Sequence, residues 1–221
     1  ASLVALRETL TVAEAWRLLA PTLDAWRGSP WLATAALGAL AKDHHALAAL
    51  RVLDCMQKGS VEVNVFHCGV VLSACGRGGQ WAWAQNLLSG MPEVQATANS
   101  ICCSAATSAC EKAGEWRRAL ALLHCTPELQ IEPDPITCNA AISACEKGGR
   151  WQPAQALLRY MPWRRVGTTV ISCNAAISAC EKAGRWQPAM ALFGCLPELR
   201  LAPDTVSCNA AVSACEKGGI W

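Results

Sequence analysis

Apolar residues recur along most of the chain at the i, i+3, i+4, i+7 spacing that places them on one face of a helix. Cys173, Ala176, Ile177 and Cys180 form one such stripe. Cys138, Ala141, Ile142 and Cys145 form a second, and Cys68, Val71, Leu72 and Cys75 a third. The divergent stretch Ala33, Ala36, Leu37, Leu40 keeps the same pattern. Another helix follows each stripe, with apolar faces at Ala154, Leu157, Leu158, Met161 and at Ala189, Leu192, Phe193, Leu196. Glycines stand between the paired helices: Gly78-Gly79, Gly114, Gly149, Gly184 and Gly219. A glycine there can take the left-handed conformation that closes a helix. The second helix is expected to open near a tryptophan. Pro153 and Pro188 then fall in its first turn, where a missing N–H loses no bond. Pro92, Pro127, Pro162 and Pro197 are expected to stop it.

These helix pairs are copies of one unit. CNAAISACEKGGRW at 138–151 returns as CNAAISACEKAGRW at 173–186 and CNAAVSACEKGGIW at 208–221, with looser copies at 103–116 and 68–81. Trp81, Trp116, Trp151, Trp186 and Trp221 mark a step of 35 residues. A fixed period of this size predicts a solenoid, because one hairpin cannot bury its apolar face and stacking makes the core continuous. The fold class expected is all-α: an α-solenoid superhelix of stacked antiparallel helix-turn-helix repeats. The units run 30–64, 65–99, 100–134, 135–169 and 170–204, with half a unit at 205–221. Residues 1–29 read as an N-terminal capping helix or a degenerate half-repeat: Val12–Leu19 is helix-prone, and Pro21 and Gly28-Ser29-Pro30 break the chain. The first unit has Asp43, His44, His45 and Ala46 in place of the Gly and Trp and is expected to be looser.

Composition changes this picture in a few places. Hydrophobic residues make up 52% and charged ones 16% of the 221 residues, so the chain packs rather than staying disordered. A net charge of +2 does not advertise a polyanion partner, and any basic surface must come from placement. Fourteen cysteines would suggest a disulfide framework in a small secreted chain. Here ten of them fall in pairs seven apart, at 68/75, 103/110, 138/145, 173/180 and 208/215, with no CxxC. They read as small core thiols in a reducing compartment. No apolar run approaches the roughly 18 residues of a membrane span. The chain begins at Ala1 and stops at Trp221 in mid-unit, which reads as a fragment.

Catalytic chemistry is not in evidence in the sequence. His44, His45, His67 and His124 belong to no HxE pair, and PCxxC is missing, so the zinc deaminase pattern is absent. No Gly-rich phosphate loop ends in GK[ST]. Adjacent His44 and His45 would point about 100° apart on a helix. The residues predict no enzyme, no cofactor, no metal site, no small-molecule substrate and no membrane partner.

The unit as a whole, with a small polar residue early in its first helix, a Lys-x-Gly turn and often Asp at its end, resembles the pentatricopeptide repeat family. The resemblance covers 30–221 and is strongest from 100 onward. Tetratricopeptide repeats run 34 residues with a different Trp, Gly, Tyr and Ala pattern. The departures from the family are Cys in the first helix and Trp opening the second, which alter packing. The resemblance implies single-stranded RNA binding at one base per unit. It implies base-facing residues Thr34, Gly69, Ser104, Asn139, Asn174 and Asn209, assisted by the unit-closing Asn64, Asn99, Asp134, Thr169 and Asp204. By family preference these pairs favour 5′-A-purine-G-pyrimidine-U. Trp31, Phe66, Ile101, Ile136, Ile171 and Val206 match the apolar positions that wedge between bases. It also implies an organelle location, mitochondrion or chloroplast, and a role in RNA processing, stability or translation.

One cation per unit, Lys42, Arg77, Lys112, Lys147, Lys182 and Lys217, would line up to track phosphates. The competing reading is a solvated helix end whose cation suits the dipole, with Glu111, Glu146, Glu181 and Glu216 neutralising the row. For the tryptophans, packing at the corner between helices is favoured over base stacking. Two other functions stay open: a scaffold with protein partners, and the recognition arm of an enzyme whose catalytic domain lies elsewhere.

Overall fold

The computed structural model describes residues 12–42 and 45–219, with side chains from Ala15 onward. Twelve α-helices and no strand occur among the described residues. They are α1 (Val12–Gly28), α2 (Pro30–Lys42), α3 (Ala46–Lys58), α4 (Val65–Gly78), α5 (Trp81–Gly90), α6 (Ser100–Ala113), α7 (Trp116–Cys125), α8 (Pro135–Lys147), α9 (Trp151–Trp163), α10 (Val170–Lys182), α11 (Trp186–Gly194) and α12 (Thr205–Lys217). The fold is an all-α solenoid of stacked helical hairpins. The chain divides into two compact units, up to Ala109 and from Cys110. No described helix is long and apolar enough to cross a membrane.

In the second compact unit the first helices of successive hairpins lie side by side, α8 against α10 and α10 against α12. The second helices α9 and α11 pack on the first helices on either side of them. The predicted stripes supply that core: Cys138, Ala141, Ile142 and Cys145, like Ala176, Ile177 and Cys180, are fully buried. In the first compact unit α2 packs on α4, α3 on both, and α5 on α4. Ala33, Leu37, Val71, Leu72 and Cys75 fill it.

The cysteines behave as small hydrophobic residues. None is in a disulfide. Burial pushes the thiols of Cys68, Cys75, Cys138, Cys145, Cys173 and Cys180 up to about 11, so they hold no thiolate at neutral pH. Cys208 departs from the expected stripe and is exposed, with Cys215 half-buried, since among the described residues α12 carries no hairpin on its outer side. Cys125 and Cys195 are also exposed.

Glycine closes the first helices as expected. Gly79, Gly114, Gly149, Gly184 and Gly219 all have φ between 63 and 73°. The residue before it is alanine at 113 and 183, and where it is glycine at 148 and 218 a ring lies close by. A Cβ on Gly148 would lie 2.6 Å from Trp116 Cδ1, and one on Gly218 would lie 2.5 Å from Trp186 Cδ1. Each tryptophan ring thus lies against the closing turn of the next hairpin's first helix. Trp116 also carries the guanidinium groups of Arg117 and Arg150 at 4.6 and 5.3 Å from its centroid. These rings pack, in line with the expectation for the tryptophan series.

Two breaks expected from proline do not occur. Pro21 lies inside α1, which runs unbroken to Gly28. Ala15, Leu19, Leu23 and Trp26 form its buried stripe, and α1 packs on α2 and α3. That burial offsets a mid-helix proline, whose cost is about 3 kcal/mol, and the Thr22 hydroxyl donates to the Leu19 carbonyl at 2.7 Å. Pro162 lies inside α9, whose last turn closes when Arg164 N–H donates to Tyr160 and Met161 carbonyls at 3.1 Å. Helices α5, α7 and α11 do end before Pro92, Pro127 and Pro197. In the first unit α3 forms without the Gly and Trp, and Asp43 and His44 lie outside the described residues.

Gly148→Ala should destabilise the protein by about 1–3 kcal/mol through overpacking against Trp116, and Trp116→Leu in the same background should recover part of the loss in a urea melt. Under native conditions a thiol reagent should modify Cys125, Cys195 and Cys208 quickly. The buried cysteines should react only at the rate of unfolding, which mass spectrometry of the modified peptides reads directly.

Candidate nucleic-acid interface

The apolar residue next to the start of each first helix points out of the core. Trp31, Phe66, Ile101, Ile136, Ile171 and Val206 are 56–72% exposed, one per unit at the same register. Isolated exposed apolar side chains are ordinary; the same position exposed in every copy is a feature of the repeat. Three residues on, and so on the same helix face, stands the small polar position.

In the second compact unit the polar residues join the unit-closing residues. Asn174 Nδ2 lies 3.0 and 3.1 Å from the two Asp204 carboxylate oxygens. Asn174 Oδ1 accepts from the Ser207 hydroxyl at 2.5 Å. Asn139 Nδ2 donates to Thr169 Oγ1 at 3.4 Å, while its Oδ1 is buried with no hydrogen-bond partner. The helical pattern places Asn174 on an outward face, yet it is 8% exposed, because the start of α12 lies over it. Asn139 is half-buried and Asn209, in the last described helix, is exposed.

In the first compact unit the polar hydroxyls bond within their own helices. The Thr34 hydroxyl donates to the Pro30 carbonyl at 3.4 Å and the Ser104 hydroxyl to the Ile101 carbonyl at 3.0 Å, each within its own helix. Among the described residues Thr34 makes no bond to Asn64. Gly69 brings no side chain, and a cavity of about 360 Å³ opens there, bordered by Phe66, Ile101, Asn99 and Arg77.

The unit-closing residues have a role that the sequence reading missed. Each one caps the first helix of the next unit. Backbone N–H groups of His67, Cys102, Thr137, Ser172 and Ser207 donate to the side chains of Asn64, Asn99, Asp134, Thr169 and Asp204, at 3.1, 3.0, 2.7, 3.3 and 2.8 Å. Asn, Asp and Thr are favoured caps because a short side-chain oxygen satisfies an orphan helix donor. His67 returns the bond: its Nδ1 accepts from Asn64 N–H at 3.2 Å. Burial pushes the His67 pKa down, keeping the ring neutral for that role. The signal lay in the sequence as Asn, Asp or Thr just before each apolar run. Ser207 backbone and hydroxyl donors, with Asn174 behind them, hold the Asp204 carboxyl below the usual range.

The cations do not form a bare row. Lys147, Lys182 and Lys217 pair with Glu111, Glu146 and Glu181 of the preceding unit at 2.9, 2.8 and 2.7 Å. The neutralising glutamate expected from the sequence therefore comes from one unit back, not from beside the lysine. Arg77 Nη2 donates to the Ala41 carbonyl at 2.7 Å, and Lys42 is exposed. Lys112 is exposed and also engaged. Exposed pairs of this kind are worth about 0–1 kcal/mol. Among the described residues no group of three His, Cys, Asp or Glu side chains is placed to hold a metal ion.

Because the folded pKa of Asp204 is depressed, its ionised form favours folding at neutral pH, and this contribution is lost as pH falls through the folded value. Asp204→Asn keeps a capping oxygen but removes the titration. Its urea midpoint should fall less than that of the wild type as the pH drops below about 4; parallel acid limbs would contradict the assignment.

A family model described as PPR repeat matches residues 136–166 and 171–201. The pentatricopeptide repeat protein PPR10 from maize superposes with a TM-score of 0.68 at 22% identity over 84% of this chain. PPR10 in complex with an 18-nt psaJ RNA element gives 0.76 at 25% identity over 97%. The chain spans 27% and 31% of those two chains. The PPR domain of Arabidopsis thaliana protein-only RNase P 1, in complex with tRNA, gives 0.68 at 14% identity, covering 81% of this chain and 95% of that one. No curated protein matches at a significant level.

Proposed function

The chain belongs to the pentatricopeptide repeat family, and on that premise we propose that it binds single-stranded RNA along its row of first helices, one base per unit. The observation that carries this reading is the outward apolar series from Trp31 to Val206, which repeats in register with a polar residue three positions on. Apolar and aromatic side chains stack on base faces without regard to sequence, and an adjacent amide or hydroxyl reads the base edge. PPR10 with its psaJ RNA element supports the choice of ligand.

The side-chain arrangement gives the units different preferences. Asp204, held ionised, and the Ser207 hydroxyl fix the orientation of the Asn174 amide, and this pair is assigned U. At Asn139 the amide donates to Thr169, and this pair is assigned a pyrimidine. The cavity at Gly69 between Phe66 and Ile101 has room for a purine with little edge readout. The protein acts by occupancy, masking a transcript or blocking a nuclease, and its place is an organelle. It carries no catalysis of its own in this reading.

Asn174→Ser recreates the Ser and Asp combination of positions 104 and 134. It should move one position of the preferred RNA from U toward G in a gel-shift panel, with stability changed by less than about 1 kcal/mol. Equal affinity of the wild type for scrambled RNA would remove base reading, and no RNA binding at any salt concentration would leave a protein scaffold.

A further inference from the structure

One corner of the array departs from the others in chemistry. At the turn after the second helix three units read Pro-Glu: Pro92-Glu93-Val94-Gln95, Pro127-Glu128-Leu129-Gln130 and Pro197-Glu198-Leu199-Arg200. The unit 135–169 reads Pro162-Trp163-Arg164-Arg165, and Arg159 and Tyr160 precede it where other units have Ser, His or Gly and Gly or Cys. An acidic corner has become basic and aromatic, and α9 runs on through it to Trp163, while the left-handed residue that closes it is kept: Gln95, Gln130, Arg165 and Arg200 have φ of 55–57°.

The side chains form a platform. Trp163 is 75% exposed, against the usual burial of so large an apolar ring. Its ring lies 6.0 Å from that of Tyr160, and the Arg164 guanidinium sits 5.9 and 6.0 Å from the two centroids. Arg159 and Arg165 are exposed. Among the described residues none of these three arginines has a carboxylate partner, unlike Lys147, Lys182 and Lys217.

We infer that this corner is an accessory single-stranded RNA contact, separate from the base-reading row: Trp163 and Tyr160 stack unpaired bases and the arginines bind the flanking phosphates. None of these residues lies on a first helix, so the contact captures nucleotides outside the five-base readout. An acidic protein segment would satisfy the guanidinium groups and leave the exposed ring without a partner; a nucleotide supplies both an anion and a flat π face. The inference rests on the RNA reading for its ligand.

The test restores the sister sequence with Trp163→Glu, Arg164→Leu and Arg165→Gln, which reproduces residues 127–130 and keeps the positive φ at 165. Fluorescence anisotropy is measured with a labelled pentanucleotide matching the row and with the same core flanked by oligoadenylate. The wild type should bind the flanked RNA about tenfold more tightly than the core. The triple variant should lose that gain, keep its affinity for the core, and show a salt slope on flanked RNA smaller by about 2. A row variant, Ile171→Ala with Asn174→Ala, should weaken the core instead. Equal behaviour of triple variant and wild type on flanked RNA overturns this inference alone. No binding of either RNA by the wild type overturns the RNA reading as well. Binding of a polyglutamate peptide that depends on Trp163 to Arg165, without the flank effect, assigns the corner to a protein partner.

Discussion

Side-by-side stacking of one hairpin's first helix on the next is the constraint from which the other features follow. The contacting faces are built from alanine, cysteine and isoleucine, which are small or compact enough to bring helices close. Close packing keeps the residues at the ends of these helices small, glycine at 78, 148 and 218 and alanine at 113 and 183. Gly148 and Gly218 are small because a tryptophan ring occupies the adjoining space. The same stacking sets lysine against the glutamate of the previous hairpin, in an ion pair that no single unit could form.

Stacking also explains how one residue serves two neighbours. Asp204 closes one unit, caps α12 of the next and holds the amide of Asn174. A short oxygen-bearing side chain is required there for the helix donor alone. The limited choice of Asn, Asp and Thr at the unit-closing position therefore has a structural cause, independent of any base. Variation at the first-helix position is different, since Thr, Gly, Ser and Asn do not share a capping duty. Asn in mid-helix costs roughly 0.7 kcal/mol relative to Ala.

The cysteines and the corner at Trp163 mark two extremes of the copied unit. Cys145 and Cys180, like Cys75 and Cys110, are fully buried between helices, so the position takes a compact apolar group. Arg159, Trp163 and Arg165, at the end of α9 and the turn after it, face solvent, so the charge there could reverse without disturbing the core.

The sequence by itself determined the helices, their pairing and the repeat step, because helical spacing of apolar residues and closing glycines act within a single unit. The buried stripes at Cys138 and Ala176 were legible in that way, whereas the outward side chains at Ile136 and Ile171 were expected only from the family resemblance. Local proline rules failed at Pro21 and Pro162, where packing and an alternative carbonyl acceptor outweigh a lost bond. Only the tertiary structure decided that Asn174 is covered, that Asn139 Oδ1 lacks a partner, and that Lys147 reaches back to Glu111. Each of these depends on residues about thirty or more positions apart meeting through the stacking of helices, and no local pattern specifies that distance.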